Sequence, residues 1–151
     1  ISKELVNSIT TISNFLNSIT NNIITKDKER CRIVIKLSFE NLEKEIFLFV
    51  RETIIANNID KRKDYIIQSV ENIVNAQYYE MYNYLSNFEL DGKKVSGYCK
   101  ESWKDNIKSS IIAIIFDENL DKTTKITETQ TKLNAMICNY STYIYNKTFN
   151  N

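Results

Sequence analysis

The sequence predicts an all-α protein, an up-and-down bundle of about five long antiparallel helices, and three observations carry that expectation. The chain contains no proline and only two glycines, Gly92 and Gly97, whereas sheet proteins need many turns and turns favour those residues. Its apolar residues recur at spacings of three and four, which is the period of a helix face and not of a strand. The links between the apolar segments are short, so successive helices must run antiparallel. At 151 residues the chain suits one domain, residues 1–151, with a core of useful size.

The first element is marked by Leu5, Ile9, Ile12, Leu16, Ile19 and Ile23, advancing by alternating fours and threes in a heptad-like stripe. The polar stretch from Thr25 to Lys28 is expected to close it, with a second helix starting near Asp27. That helix places Cys31, Ile35, Phe39, Leu42, Ile46 and Phe49 on one face. Its run IFLFV, residues 46–50, is continuous and predicts burial on more than one side. NNID, residues 57–60, interrupts the pattern, and Asp60 is the expected N-cap of helix three. Ile66, Val70, Ile73, Gln77, Met81 and Leu85 line helix three, which runs to about Phe88. LDGKKVSG, residues 90–97, is the strongest loop signal, and Ser96 is placed to cap helix four. Helix four carries Cys99, Trp103, Ile107, Ile111, Ile114 and Ile115. FDENLD, residues 116–121, reverses the chain into helix five, with Ile126, Leu133, Met136, Ile137, Tyr140 and Ile144.

Charge and composition remove several functions. A net charge of +1, with lysines interleaved among acids, supplies no basic face for nucleic acid. No apolar run approaches the roughly 18 residues that cross a bilayer. Histidine is absent, which excludes His-based triads and His-ligated metals. No glycine-rich phosphate loop occurs, and acidic pairs such as Glu43/Glu45 and Asp117/Glu118 read as solvated faces. The expectation is a protein that is not an enzyme, with no cofactor and no metal.

Three cysteines leave one over. Cys99 and Cys138 lie 19 residues before Glu118 and 19 after Asn119, so in a regular hairpin both sit roughly 28 Å from the turn. That equal height predicts a Cys99–Cys138 disulfide, provided the two side chains face each other. The competing reading is buried thiols packing as small apolar groups. Cys31 belongs at the same end of the bundle and either takes Cys99 or stays as the odd thiol. Two sequons, Asn139-Tyr140-Ser141 and Asn146-Lys147-Thr148, are possible N-glycosylation sites. With a disulfide they point to an oxidising, extracellular compartment. The chain opens on Ile1 rather than Met, as a removed leader or a trimmed start would leave it.

The aromatic residues are the functional signal. Tyr78, Tyr82 and Leu85 share a face of helix three, while Tyr79 looks elsewhere and Tyr84 pairs with Phe88 four residues on. Tyr98 and Trp103 follow the loop, and Tyr140, Tyr143 and Tyr145 close helix five. The up-and-down order brings all of them to one end of the bundle. Three uses compete there: filling a wide core end, forming a protein-binding exterior, or lining a ligand pocket. Tyr79, Tyr84, Tyr98 and Tyr143 are the candidate partner-binding residues. Tyr78, Tyr82, Trp103 and Tyr140 are the candidate pocket lining for a small apolar ligand.

Tyr98-Cys99, Cys138 with Tyr140 two residues on, and the all-helical pattern with its AT-biased composition together resemble small secreted helical proteins of insects. The nearest are the cysteine–tyrosine–cysteine bicycle effectors of gall-forming aphids, and secreted midgut and salivary helical families of flies are similar in class. The resemblance covers the C-terminal third. It implies a secreted, non-enzymatic effector acting on a host through an unidentified protein partner, and it carries over no binding residues.

Overall fold

The computed structural model describes residues 2–56 and 59–150, and the backbone alone for 20–27. The protein is all-α. Among the described residues there are four α-helices, α1 (Lys3–Ile55), α2 (Lys63–Leu85), α3 (Ser102–Ile115) and α4 (Lys122–Phe149). α1 packs against α2 and α4, and α3 completes the ring against the same two.

The expected division between helices one and two is absent, since α1 runs unbroken through Thr25 to Lys28. Those residues interrupt an apolar stripe but include neither glycine nor proline, and polarity alone does not stop a helix. The expected break at Asn57 and Asn58 lies outside the described residues. Asp60 is no cap for α2: it opens a 3-10 turn, Asp60–Arg62, and α2 starts without a side-chain cap.

Among the described side chains the core begins at Cys31. From there α1 buries Val34, Ile35, Phe39, Leu42, Ile46, Val50 and Ile54, wedged between two neighbours. The IFLFV run is accordingly buried on more than one side, with Phe47 and Phe49 packed against the core and only Leu48 exposed. On α2 the buried stripe is Ile66, Val70, Val74, Tyr78, Met81 and Leu85. It therefore runs one residue later than predicted through the middle, and Ile73 and Gln77 sit at its edge. α3 contributes Trp103, Ile107, Ile111 and Ile115, a strict four-residue row. α4 contributes Leu133, Ile137 and Ile144 together with two threonines, Thr129 and Thr148.

The α3–α4 reversal is built as its composition suggests. Asp117 Oδ1 accepts the Asn119 N–H at 2.9 Å, and Asp121 Oδ1 accepts the Thr124 N–H at 2.8 Å, capping α4. Hydrogen bonds from Thr124, first from its backbone N–H and then from its hydroxyl, hold the Asp121 carboxyl below the ordinary range. From the first turn of α4, Lys125 Nζ donates to the Ile115 carbonyl at 2.6 Å and Lys122 Nζ to Ile55 at 3.3 Å. Each thus satisfies a carbonyl at a helix C-terminus.

At the other end, the loop after α2 is a small hairpin. β1 (Glu89–Leu90) pairs antiparallel with β2 (Lys93–Lys94) across Asp91-Gly92. Both turn residues have positive φ, 54° and 80°, the geometry for which Asp-Gly is the favoured pair.

Candidate functional site

The aromatic residues do converge on one end. It is formed by the last two turns of α2, a 3-10 turn Val95–Tyr98, the start of α3, the end of α4 and the α1 segment from Cys31 to Phe39. The hairpin directs this end: Phe88 accepts the Val95 N–H at 2.9 Å, and Ser86 Oγ donates to Ser96 Oγ at 2.8 Å. Ser96 is buried by that bond and does not cap α3, which starts six residues later with Glu101 in the cap position and no side-chain bond.

Trp103 sits at the centre. Its ring stacks on Tyr140 at 4.6 Å between centroids and 16° between planes. Tyr143 meets it edge-on at 5.8 Å and Phe39 at 6.4 Å. Beside it, Tyr145 packs on Phe149, and its hydroxyl donates to the Arg32 carbonyl at 2.8 Å. Arg32 in turn lies over the Phe149 ring at 5.0 Å. Two of the proposed pocket residues, Trp103 and Tyr140, therefore occupy each other's faces. Burial pushes the hydroxyl pKa of Tyr78 and Tyr140 upward, so both are neutral hydrogen-bonding groups at physiological pH.

A second aromatic group, on α2, is exposed, with Tyr79 edge-on to buried Tyr78 at 5.6 Å. Tyr79 is 44% exposed and Tyr82 37%. Together with Tyr78, Ser96, Gly97, Cys99 and Glu101 they border an open cleft of about 320 Å³. Tyr79 is pinned in place. Its hydroxyl accepts a hydrogen bond from Lys104 Nζ at 2.7 Å, and the same ammonium lies 4.4 Å from the Tyr79 ring and 5.4 Å from that of Tyr78. The Tyr79 hydrogen bond is the main reason the Lys104 pKa rises. Tyr143 is flanked similarly, by Lys100 at 4.4 Å and Lys147 at 5.8 Å. Tyr98 is half-buried against the core.

Tyr84 belongs to another face. It stacks edge-on with Phe88 at 5.8 Å and borders an open cleft of about 440 Å³ between α1 and α2, with Leu37, Leu42 and Met81 beside Asn41 and Gln77. The four candidate partner-binding residues thus divide. Tyr79, Tyr98 and Tyr143 share the end formed by α3 and α4, and Tyr84 looks toward α1.

The cysteines correct the prediction. Cys31, Cys99 and Cys138 are all thiols, and the Cys99–Cys138 bridge is not formed. The equal-height argument took Cys99 as helical, but it lies in extended backbone (φ −69°, ψ 143°) between the 3-10 turn and α3. Cys138 is on the exposed side of α4, one residue beyond buried Ile137. Burial pushes the Cys99 thiol up to about 12, which makes it a poor nucleophile at neutral pH. The sequon residues Asn139 and Asn146 are both exposed on α4. Among the described residues no three potential metal-ligating side chains cluster, and no helix is long and apolar enough to cross a membrane.

The arrangement suits binding. It offers partly exposed aromatic area with ammonium groups held beside it. Comparison with protein-family models, curated proteins and solved structures finds no match to this chain.

Proposed function

We propose that this chain is a non-enzymatic, secreted helical protein, an effector that binds a host or partner protein through the tyrosine-bearing end of its bundle. The observation that carries the reading is the exposed pair Tyr79 and Tyr82 beside buried Tyr78, with the Tyr79 hydroxyl held by Lys104. A tyrosine already held in one position loses little entropy on binding, which is why such rings serve as interface anchors. The two exposed sequons on α4 and the resemblance to insect effectors support the extracellular setting.

Immobilised protein tested against host extracts examines the reading directly. The doubly substituted Tyr79→Ala/Tyr82→Ala chain should lose the partner that the unmodified chain retains. Tyr65→Ala serves as the control, because Tyr65 is equally aromatic and 61% exposed but lies at the first turn of α2, near the opposite end. Equal capture by all three would overturn the proposed surface.

A second reading, a carrier of a small apolar ligand, rests on the 440 Å³ cleft beside Tyr84, whose volume falls within the range of ligand sites. Native mass spectrometry of protein from its natural source distinguishes the two, since a carrier arrives with a bound adduct. Leu37→Asp in that cleft would then abolish the adduct and leave protein capture unchanged.

A further inference from the structure

We infer that the first part of α1, residues 3–19, is an interface for a second copy of this chain. Every residue from Ser2 to Ile19 is exposed, although the helix continues unbroken into the core. Its apolar stripe is large: Leu5 is 53% exposed, Ile9 59%, Ile12 60%, Leu16 56% and Ile19 40%. Val6 and Phe15, 49% and 65% exposed, widen it on either side. The four–three spacing of that stripe is the seam of a coiled coil.

This segment has little reason to be helical alone. Between Leu5 and Ile19 the only strong helix formers are the two leucines, and the rest are β-branched, Ser, Asn or Phe. Thr10 and Thr11 turn their hydroxyls back to the carbonyls of Val6 and Asn7, which adds no rigidity. Helices of such composition are stabilised by packing of an apolar face.

A second copy is the occupant the chemistry fits best. No charged residue occurs from Leu5 to Thr25, so nothing along the stripe repels its own kind. The same absence removes the cationic face that a membrane-surface helix would use. The exposed portions of the five stripe residues amount to about 500 Å² per copy, so a pair buries about 1,000 Å², the threshold for a specific interface. An antiparallel pairing suits the flanking charges, because residues 26–32 carry four cations against two carboxylates, and that pairing keeps the two segments apart. In this register Ile9 faces Ile19 of the second copy, Ile12 faces Leu16, and the two Phe15 rings meet near the two-fold axis.

Sedimentation equilibrium of the full chain at tens of micromolar tests the inference. A mass twice the 17.7 kDa of one chain is expected. Ile12→Lys should return it to a monomer, while Asn14→Lys, on the opposite face of the helix, should leave the dimer intact. Unchanged Trp103 emission in both variants shows that the bundle remains folded. A monomeric unmodified chain overturns the inference, as does a dimer that survives Ile12→Lys. So does flotation of a monomer with phosphatidylcholine–phosphatidylserine vesicles, which would assign the stripe to a lipid surface. None of these outcomes bears on the tyrosine surface, which lies on other elements.

Discussion

Replacing Trp103 with alanine separates a filled bundle end from a pocket. The ring is 6% exposed, and an aromatic side chain of this kind removes about 200 Å² from water. At about 25 cal/mol per Å², less what alanine retains, the loss is about 4 kcal/mol. Losing the stacked contact with Tyr140 and the edge contact with Tyr143 adds about 0.5–1.5 kcal/mol each, and partial collapse of the cavity returns some of that. The expected destabilisation is about 4–5 kcal/mol, a large share of the 5–15 kcal/mol typical of a domain. For a chain of this length it corresponds to a fall of about 10–15 °C in Tm. Trp103→Phe, which keeps most of the ring area, should cost about a third as much. Urea unfolding followed by circular dichroism reads both without relying on the lost fluorophore. A cost below about 1.5 kcal/mol for the alanine variant would refute close packing, because a ring facing an open pocket gives up few contacts when removed.

Three further outcomes follow from the same geometry. The Cys99 thiol is raised from 9.0 to about 12 by burial, so the folded state keeps a proton that the unfolded chain releases. The associated stability is fully present below pH 9 and lost as pH rises toward 12. The slope is at most about 1.4 kcal/mol per pH unit, and Cys99→Ala should flatten it in alkaline unfolding curves; an unchanged slope would rule out this origin. Thr129 is 1% exposed and its hydroxyl has no hydrogen-bond partner among the described residues. Thr129→Val keeps the shape and should therefore raise stability by about 1 kcal/mol, measured as a shift in urea midpoint; a loss would mean that the hydroxyl is satisfied. Gly92 sits at φ 80° with open space around it, so Gly92→Ala meets no clash yet should cost about 1–2 kcal/mol in backbone strain, again by urea midpoint.

The fold class was legible because the absence of proline and the three–four spacing act over the whole chain. Local details depended on weaker signals. Thr25 to Lys28 looked like a helix end because the apolar stripe lapses there, but a lapse in apolar pattern is not a backbone break, and α1 continues through it. Thr129 and Thr148 were missed as core residues because threonine reads as polar; their spacing from Leu133 and Ile144 was the available clue. Residues 90–97 were read only as a loop, and the Asp91-Gly92 pair within them was the available signal for the hairpin. Cys99 was misplaced because a 3-10 turn and a stretch of extended chain intervene before α3, so residue counts no longer translate into height. Helix direction alone brought most of the rings to one end, but Tyr84 looks toward α1 on another face. Which rings are exposed depended on details that direction does not carry: Tyr82, expected to line a pocket, is more exposed than Tyr98 or Tyr143.

The binding surface is tested most directly by hydrogen–deuterium exchange of the protein with and without its captured partner. Added protection confined to residues 76–88 and 95–104, which carry Tyr79, Tyr82 and Lys104, is the predicted result. Protection confined instead to the α1 segment around Leu37, or to residues 3–19, would contradict a tyrosine-bearing binding end.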